Sequence, residues 1–141
     1  MKQVRLLIVL FTFVSLFSAC KKDEEKPQTT EQKIVGKWNV KKYTQKTYEN
    51  NVLKETSEEA AAAGDYIEFK ADKTLVSYED GVTTSGTYQV LNDKRINLTI
   101  LFTFPFAIDK LDATQLVITM TNSETDGGVE YKDVSTIEMT K

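Results

Sequence analysis

The sequence has 141 residues, with 18 basic and 21 acidic side chains, one cysteine and no histidine. This length fits a single domain, and a lone cysteine excludes an intramolecular disulfide. The absence of histidine removes the usual acid–base group near neutral pH and the commonest metal ligand. The acidic balance and the lack of a long basic stripe argue against a nucleic-acid partner.

The N-terminal segment has the order of an export signal. Lys2 and Arg5 precede an uncharged, apolar run over residues 6–19, which ends in small residues directly before Cys20. This order is typical of a secretory signal peptide. The run is shorter than the ~20 residues that a membrane-spanning helix needs. Residues 1–19 are therefore predicted to be a lipoprotein signal peptide.

Cys20 stands where the apolar run ends and a charged run begins. The segment Leu16-Phe17-Ser18-Ala19-Cys20 resembles a bacterial lipobox. The resemblance implies cleavage before Cys20, a diacylglyceryl thioether on its thiol, and a fatty acyl group such as palmitate on the new amino group. Each buried methylene adds about 0.8 kcal/mol of membrane affinity, so this lipid would hold the protein at a membrane. The alternative is a cysteine that happens to end a cleaved signal peptide.

Residues 20–33 are predicted to be a flexible acidic tether, because Lys21 to Gln32 includes Pro27 and no apolar residue. Within it, Lys22-Asp23-Glu24-Glu25 resembles an export signal of one large group of Gram-negative bacteria. That signal sends lipoproteins to the outer face of the outer membrane. Such a charge run also simply raises solubility. The expected location is the outer membrane, with the surface and the periplasmic face both open.

Residues 34–141 are predicted to form one all-β domain. Short runs that alternate apolar and polar residues are separated by turn residues, as in a barrel or a sandwich with hairpin connections. Asp80-Gly81 is a tight-hairpin signal, and Pro105 indicates a bend or a sheet edge. The eight predicted strands are Lys37–Thr47, Tyr66–Lys70, Thr74–Tyr78, Thr83–Val90, Arg95–Leu101, Phe104–Ile108, Gln115–Thr121 and Val129–Thr140.

One segment after the first strand departs from this pattern. Ser57 as a cap, Glu58 and Glu59 in the first turn, an alanine run and Gly64 as a stop predict a short helix. A helix here would cover one end of a barrel. The alternative is a solvated loop, because isolated helices of this length are marginal.

Three motifs point to a known family. Gly36-Lys37-Trp38 resembles the Gly-x-Trp signature of lipocalins. Ile67–Thr74 and Gly86-Thr87-Tyr88 are similar to the lipocalin-like domain found on many bacterial lipoproteins, and the resemblance covers residues 34–141. It implies an eight-stranded antiparallel up-and-down barrel.

Lipocalins usually stack a basic residue from a late strand on the signature tryptophan. The single arginine of this domain, Arg95, lies mid-chain. The resemblance therefore places Lys132 or Lys141 in that role.

The barrel interior is the first candidate site. Eight strands enclose a space that side chains can just fill, or that can hold one small ligand. For each inward residue the alternative is ordinary core. Strand alternation and aromatic content select a candidate ligand pocket of Trp38, Phe69, Tyr88, Leu98, Ile100, Phe104 and Ile118.

The run from Leu101 to Phe106 is a second candidate site. Phe102, Phe104 and Phe106 alternate and share one face if the run is extended. Pointing outward, this face would be an exposed apolar patch of the kind that marks a binding or membrane-contact surface.

Catalysis has little support in the sequence. Without histidine, and with Cys20 assigned to lipid attachment, the usual nucleophilic triads are unavailable. The carboxylate pairs Glu79/Asp80 and Asp109/Asp112 lie in predicted turns, where carboxylates ordinarily cap. Glu124 and Asp126 lack the spacing of a calcium loop. We therefore expect neither an enzyme nor a metal or cofactor site.

Two functions remain, both for a membrane-anchored cell-envelope lipoprotein. In the first, the barrel binds a small apolar ligand near the membrane. In the second, the core is filled, and the loops or the phenylalanine-rich edge contact a protein or glycan partner that the sequence does not identify. A connected apolar cavity with an open mouth favours the first function, and solid packing favours the second.

Overall fold

The structure, a computed structural model, describes residues 27–141. The predicted signal peptide, Cys20 and the first part of the predicted tether lie outside the described residues. The elements in chain order are α1 (Thr30–Ile34), β1 (Gly36–Glu49), β2 (Val52–Ala60), β3 (Tyr66–Phe69), β4 (Thr74–Glu79), β5 (Val82–Asn92), β6 (Arg95–Thr99), β7 (Thr103–Leu111), β8 (Gln115–Asp126) and β9 (Val129–Thr140).

Eight of these strands close into an antiparallel barrel. The ring runs from β1 to β3, continues in chain order to β9 and returns to β1. β1 and β9 close it with a long ladder from Asn39 opposite Thr140 to Glu49 opposite Tyr131. Closure removes the unpaired edges that an open sheet would expose. The predicted all-β, eight-stranded antiparallel barrel is confirmed.

The remaining strand, β2, shows that the position of the predicted helix is wrong. β3 covers only Gly36–Asn39 of β1, and β2 pairs with the same edge further along, from Lys42 to Glu49. Ser57–Ala60 are therefore strand, and residues 61–64 are loop. An isolated short helix is marginal, whereas β2 satisfies its backbone along an edge that β3 leaves open. The short helix in the described residues is α1, which precedes β1.

The strand connections define two ends of the barrel. At one end, which we name the α1 end, α1 leads into β1. The turns after β3, β5 and β7 are at the same end. The other end, the mouth end, carries the turns Asn50-Asn51, Asp80-Gly81, residues 100–102 and Gly127-Gly128. Three of these turns have positive φ at both residues, as type I′ hairpins require. The predicted Asp80-Gly81 hairpin is thus confirmed.

The core fills the α1 end. Ile34 of α1 is fully buried there, and its carbonyl oxygen accepts a 2.7 Å hydrogen bond from the Trp38 indole N–H. The barrel ring and its core lie within residues 30–141. Among the described residues, the thirteen buried apolar ones are Ile34, Trp38, Val40, Ile67, Phe69, Leu75, Tyr88, Ile96, Leu98, Ile108, Leu116, Ile118 and Met139.

α1 includes residues that the sequence assigned to the tether. Thr29 caps the helix: its hydroxyl oxygen accepts from the Gln32 backbone N–H at 3.3 Å, and Gln32 Oε1 accepts from the Thr29 N–H at 2.9 Å. This capping box satisfies two N-terminal donors at once. The described fold therefore includes α1 and its cap, ahead of residue 34.

Candidate functional site

A cavity of about 310 Å³ lies above the filled core at the mouth end. Small-molecule sites in proteins have volumes of about 300–1,000 Å³, so this volume suits one small ligand. We name it the mouth cavity. Its lining residues are Tyr43, Thr44, Gln45, Ser57, Glu59, Phe106, Met120, Ser135, Thr136 and Ile137.

A bulge in β1 aims two of these side chains into the cavity. The β1–β9 register shifts between Val40 and Lys42, so β1 carries one extra residue there. Strict alternation from Trp38 and Val40 would turn Tyr43 outward. After the bulge, Tyr43 lies opposite Ile137 and Gln45 lies opposite Ser135. Bulges commonly redirect side chains beside binding sites in this way.

β2 supplies the polar rim of the cavity. In the β1–β2 register, Glu59 lies opposite Tyr43 and Ser57 lies opposite Gln45. The Ser135 hydroxyl donates a hydrogen bond to Gln45 Oε1 on the same wall. The apolar wall opposite comes from Phe106 of β7 and Met120 of β8. The cavity therefore has a polar side and an apolar side.

Carboxylates dominate the charge around Tyr43. Burial raises the pKa of the Tyr43 phenol well above its ordinary value of 10.0, and the neighbouring carboxylate of Glu79 raises it further. Asp65 and Asp80 add smaller effects in the same direction. The phenol is therefore a neutral hydrogen-bonding group at physiological pH. Among the described residues that line the cavity, Glu59 alone has a charged side chain.

The seven residues of the sequence-predicted pocket divide between core and surface. Five of them, Trp38, Phe69, Tyr88, Leu98 and Ile118, belong to the buried cluster, and none of the seven lines the mouth cavity. Ile100 and Phe104 are 41% and 38% exposed. Ile100 is partly exposed because β6 ends at Thr99 and Ile100 begins the hairpin. A ligand role for these residues stays a prediction.

Trp38 has the basic partner that the family resemblance implies. Lys141 Nζ lies 4.5 Å from the centroid of the Trp38 ring and also donates to the Lys33 carbonyl oxygen at 3.3 Å. Lys132 instead lies over Tyr48, 4.7 Å from its ring centroid. Of the two candidates, Lys141 therefore takes the place of the usual basic residue.

Asp65 is a buried carboxylate near the mouth that the sequence did not single out. Its Oδ2 accepts from the Ala62 N–H at 3.1 Å, and its Oδ1 accepts from the Asp80 N–H at 3.2 Å. The carboxylate thus connects the loop after β2, through Oδ2, to the turn after β4, through Oδ1. Across residues 27–141, every buried side-chain nitrogen or oxygen has a hydrogen-bond partner. Asp65 is therefore a structural clamp.

Exposed apolar side chains gather beside the mouth cavity. We name Ile100, Leu101, Phe102 and Phe104 the apolar hairpin; Leu101 is 87% and Phe102 is 72% exposed. The single face that three phenylalanines would share in an extended run does not form. Phe104 and Phe106 lie opposite the buried residues Leu98 and Ile96, whereas Phe102 belongs to the hairpin turn. The exposed patch is therefore the turn and its flanks.

Two further concavities, of about 340 and 430 Å³, lie on the outer face of β6–β8 and beside α1. Both involve mainly outward-facing strand residues or residues at the α1 end. In the part of the chain that the structure describes, no group of three or more histidine, cysteine or acidic residues is placed to hold a metal ion. Nor does any helix there have the length and apolar character needed to cross a membrane.

Comparison with known proteins agrees with this architecture. A family model described as a lipocalin-like domain matches residues 34–141, which include the Gly-x-Trp motif and all nine strands. The searches of curated proteins and of solved structures found no match. The chain belongs to the lipocalin-like domain family.

Proposed function

We propose that the protein is a membrane-anchored cell-envelope lipoprotein whose barrel binds one small apolar or amphipathic molecule in the mouth cavity. The cavity itself carries this proposal: about 310 Å³ of space, open above a filled core and walled by Phe106, Met120 and Ile137. Lipocalin-like barrels are typically binding proteins rather than enzymes.

The size of the cavity limits the affinity. A ligand of about 15 non-hydrogen atoms that gains about 0.3 kcal/mol per atom binds with about 5 kcal/mol. This corresponds to a Kd of roughly 0.1–1 mM. A carrier that loads and releases its ligand at an envelope is compatible with such an affinity.

Binding is tested with the neutral fluorophore N-phenyl-1-naphthylamine on the chain from residue 20 onward, carrying Cys20→Ser. We expect saturable fluorescence enhancement that Met120→Trp abolishes, because the indole fills the cavity. Thr121→Trp is the matched control, since Thr121 is exposed and alternates with Met120 on β8. Enhancement that Met120→Trp leaves intact would remove the mouth cavity as the site.

The anchoring half of the proposal is supported by the leader and by Cys20. The chain enters the barrel at the α1 end, so a tether attached there leaves the mouth end unobstructed. Mass spectrometry of the native N-terminal peptide should find the thioether lipid and an N-acyl group on Cys20. Cys20→Ser should move the protein from the membrane fraction to the soluble fraction. A native protein with an unmodified Cys20 contradicts the proposal.

The apolar hairpin supports the alternative function, a surface lipoprotein that contacts a protein or glycan. Exposed apolar patches on folded proteins commonly mark interaction sites. Leu101→Ser with Phe102→Ser should abolish a cross-link between the protein and its partner on intact cells. Fluorophore binding by the mouth cavity should be unchanged in the same variant. A wild-type protein that forms no cross-link on intact cells argues against this alternative.

A further inference from the structure

We propose that the mouth cavity selects amphiphiles with a cationic head, an ammonium group on an apolar chain, over amphiphiles that end in a carboxylate. This inference rests on the proposed ligand-binding function and adds the chemical class of the ligand.

The two walls of the cavity suit the two parts of an amphiphile. Phe106, Met120 and Ile137 supply apolar lining for a chain. Glu59 lies opposite Tyr43 on the β1–β2 wall, where a polar head would rest. Apolar burial favours any chain of the right size, so the head determines the selectivity.

The charges at the head position favour a cation. Glu59 lines the cavity, and Glu79 and Asp80 lie close enough to the Tyr43 phenol to perturb it. A ligand carboxylate placed here would meet like charge, which disfavours its ionised form. An ammonium group would meet the Glu59 carboxylate and can also contact the face of the Tyr43 ring.

Three lysines, one each on β1, β2 and β9, are engaged with other groups. Lys42 forms ion pairs with Glu58 and Glu138 at 3.4 and 3.1 Å. Lys54 pairs with Glu49 at 3.3 Å, and Lys132 donates to Asn51 Oδ1 at 2.8 Å. None of these three lysines lines the mouth cavity, so they supply no counter-ion for a bound carboxylate.

The test compares three ligands with the same chain: decylammonium, decanol and decanoate. Each displaces N-phenyl-1-naphthylamine from the Cys20→Ser chain described above, at low salt and below its micelle concentration. We expect decylammonium to bind at least tenfold more tightly than decanoate, with decanol between them. The preference should shrink as sodium chloride is added, because the interaction is a screened ion pair at an open site.

Glu59→Gln should reduce the preference for decylammonium to less than threefold. Glu58→Gln is the matched control, because it makes the same change in charge on the opposite face of β2 and leaves Lys42 paired with Glu138 at 3.1 Å. It should keep the full preference.

The outcomes separate the two proposals. Equal binding of decylammonium and decanoate, or a preference that Glu59→Gln leaves unchanged, overturns the cationic-head inference and leaves ligand binding intact. Failure of the fluorophore and of all three ligands to bind overturns the proposed function as well.

Discussion

The contact between Trp38 and Lys141 shows how a single residue at the C-terminal end of the chain supports the barrel. Trp38 is fully buried beside α1, and the Lys141 ammonium lies over its ring. Exposed cation–π contacts are worth about 0.5–1 kcal/mol. The α1 end is therefore held by electrostatic attraction as well as by packing.

Lys141→Met should lower the free energy of unfolding by about 0.5–1 kcal/mol, because the stem remains and the charge over the ring is lost. Lys141→Arg should match or exceed wild type, since a planar guanidinium stacks well on an aromatic face. Urea unfolding followed by Trp38 fluorescence measures both variants. An unfolding midpoint for Lys141→Met equal to that of wild type would show that the contact contributes nothing.

Gly86 lies where the backbone of the neighbouring strand approaches closely. A Cβ at Gly86 would lie 2.2 Å from the Thr99 carbonyl oxygen, a backbone atom of the neighbouring strand. Gly86→Ala should therefore destabilise the barrel by about 1–3 kcal/mol, as overpacking does. Ser85→Ala is the control, because Ser85 is exposed on the same strand. Equal denaturation midpoints for Gly86→Ala and Ser85→Ala would contradict the close approach.

Some of these residues could be identified from the sequence and others could not. The Gly-x-Trp motif identified Trp38, and the family pattern narrowed its partner to two lysines. Tyr43 required knowledge of the bulge after Val40, which apolar alternation does not reveal. Asp65 joins backbone groups of Ala62 and Asp80, and its link to Asp80 spans 15 residues, so no local pattern indicated it.

β2 is the strand that the sequence did not predict. All nine of its residues are exposed, so it has no apolar alternation to detect. Its Ser-Glu-Glu-Ala sequence also matches helix start signals. The available clue was Asn50-Asn51, a two-residue turn whose asparagines both tolerate positive φ. The end of β8 was missed for the same reason, since residues 122–126 are exposed and polar.

The charges on β2 should protect its outer edge. Among the described strands, β2 pairs only with β1, which leaves one edge unpaired. Charged side chains are a common guard against edge-to-edge association. Lys54→Val with Glu58→Val keeps the net charge and should give concentration-dependent association in sedimentation experiments.

Thr87→Val is the control for this edge, because Thr87 is exposed on β5 but pairs with strands on both sides. It should stay monomeric over the same concentrations. Association of both variants to the same extent would show that hydrophobicity, and not the open edge, is responsible.

The turn after β7 should make stability depend on acid pH. Asp112 Oδ1 accepts from the Thr114 and Gln115 backbone N–H groups, each at 2.8 Å, and these bonds hold its pKa below the ordinary 3.8. A lowered pKa in the folded state adds stability above pH 3.8, which is lost as the pH falls through the folded value. NMR titration of the Asp112 carboxyl carbon should give a midpoint below 3.8.

The midpoint of urea unfolding should fall less below pH 3.8 in Asp112→Ala than in wild type, because the variant has no Asp112 carboxylate to protonate. A decline of the same size in both proteins, or a normal Asp112 midpoint, would contradict the capping role.

The whole molecule divides into a closed end and an open end. The α1 end is packed by thirteen buried apolar residues, and the mouth end holds the 310 Å³ cavity and the apolar hairpin. The sequence predicted the barrel because the strands of its ring alternate apolar and polar residues or are bounded by clear turn signals. The pocket residues that it selected belong to the core or to the apolar hairpin and not to the lining of the mouth cavity, since composition cannot show which inward residues pack together and which line a cavity.

Ligand binding at the mouth end can be followed by amide NMR titration of the Cys20→Ser chain with decylammonium. We expect saturable shifts centred on Tyr43, Glu59, Met120 and Ile137, with little change at Trp38 and Ile34. Shifts confined to the apolar hairpin or to the α1 end, or no saturable shifts at all, would contradict it.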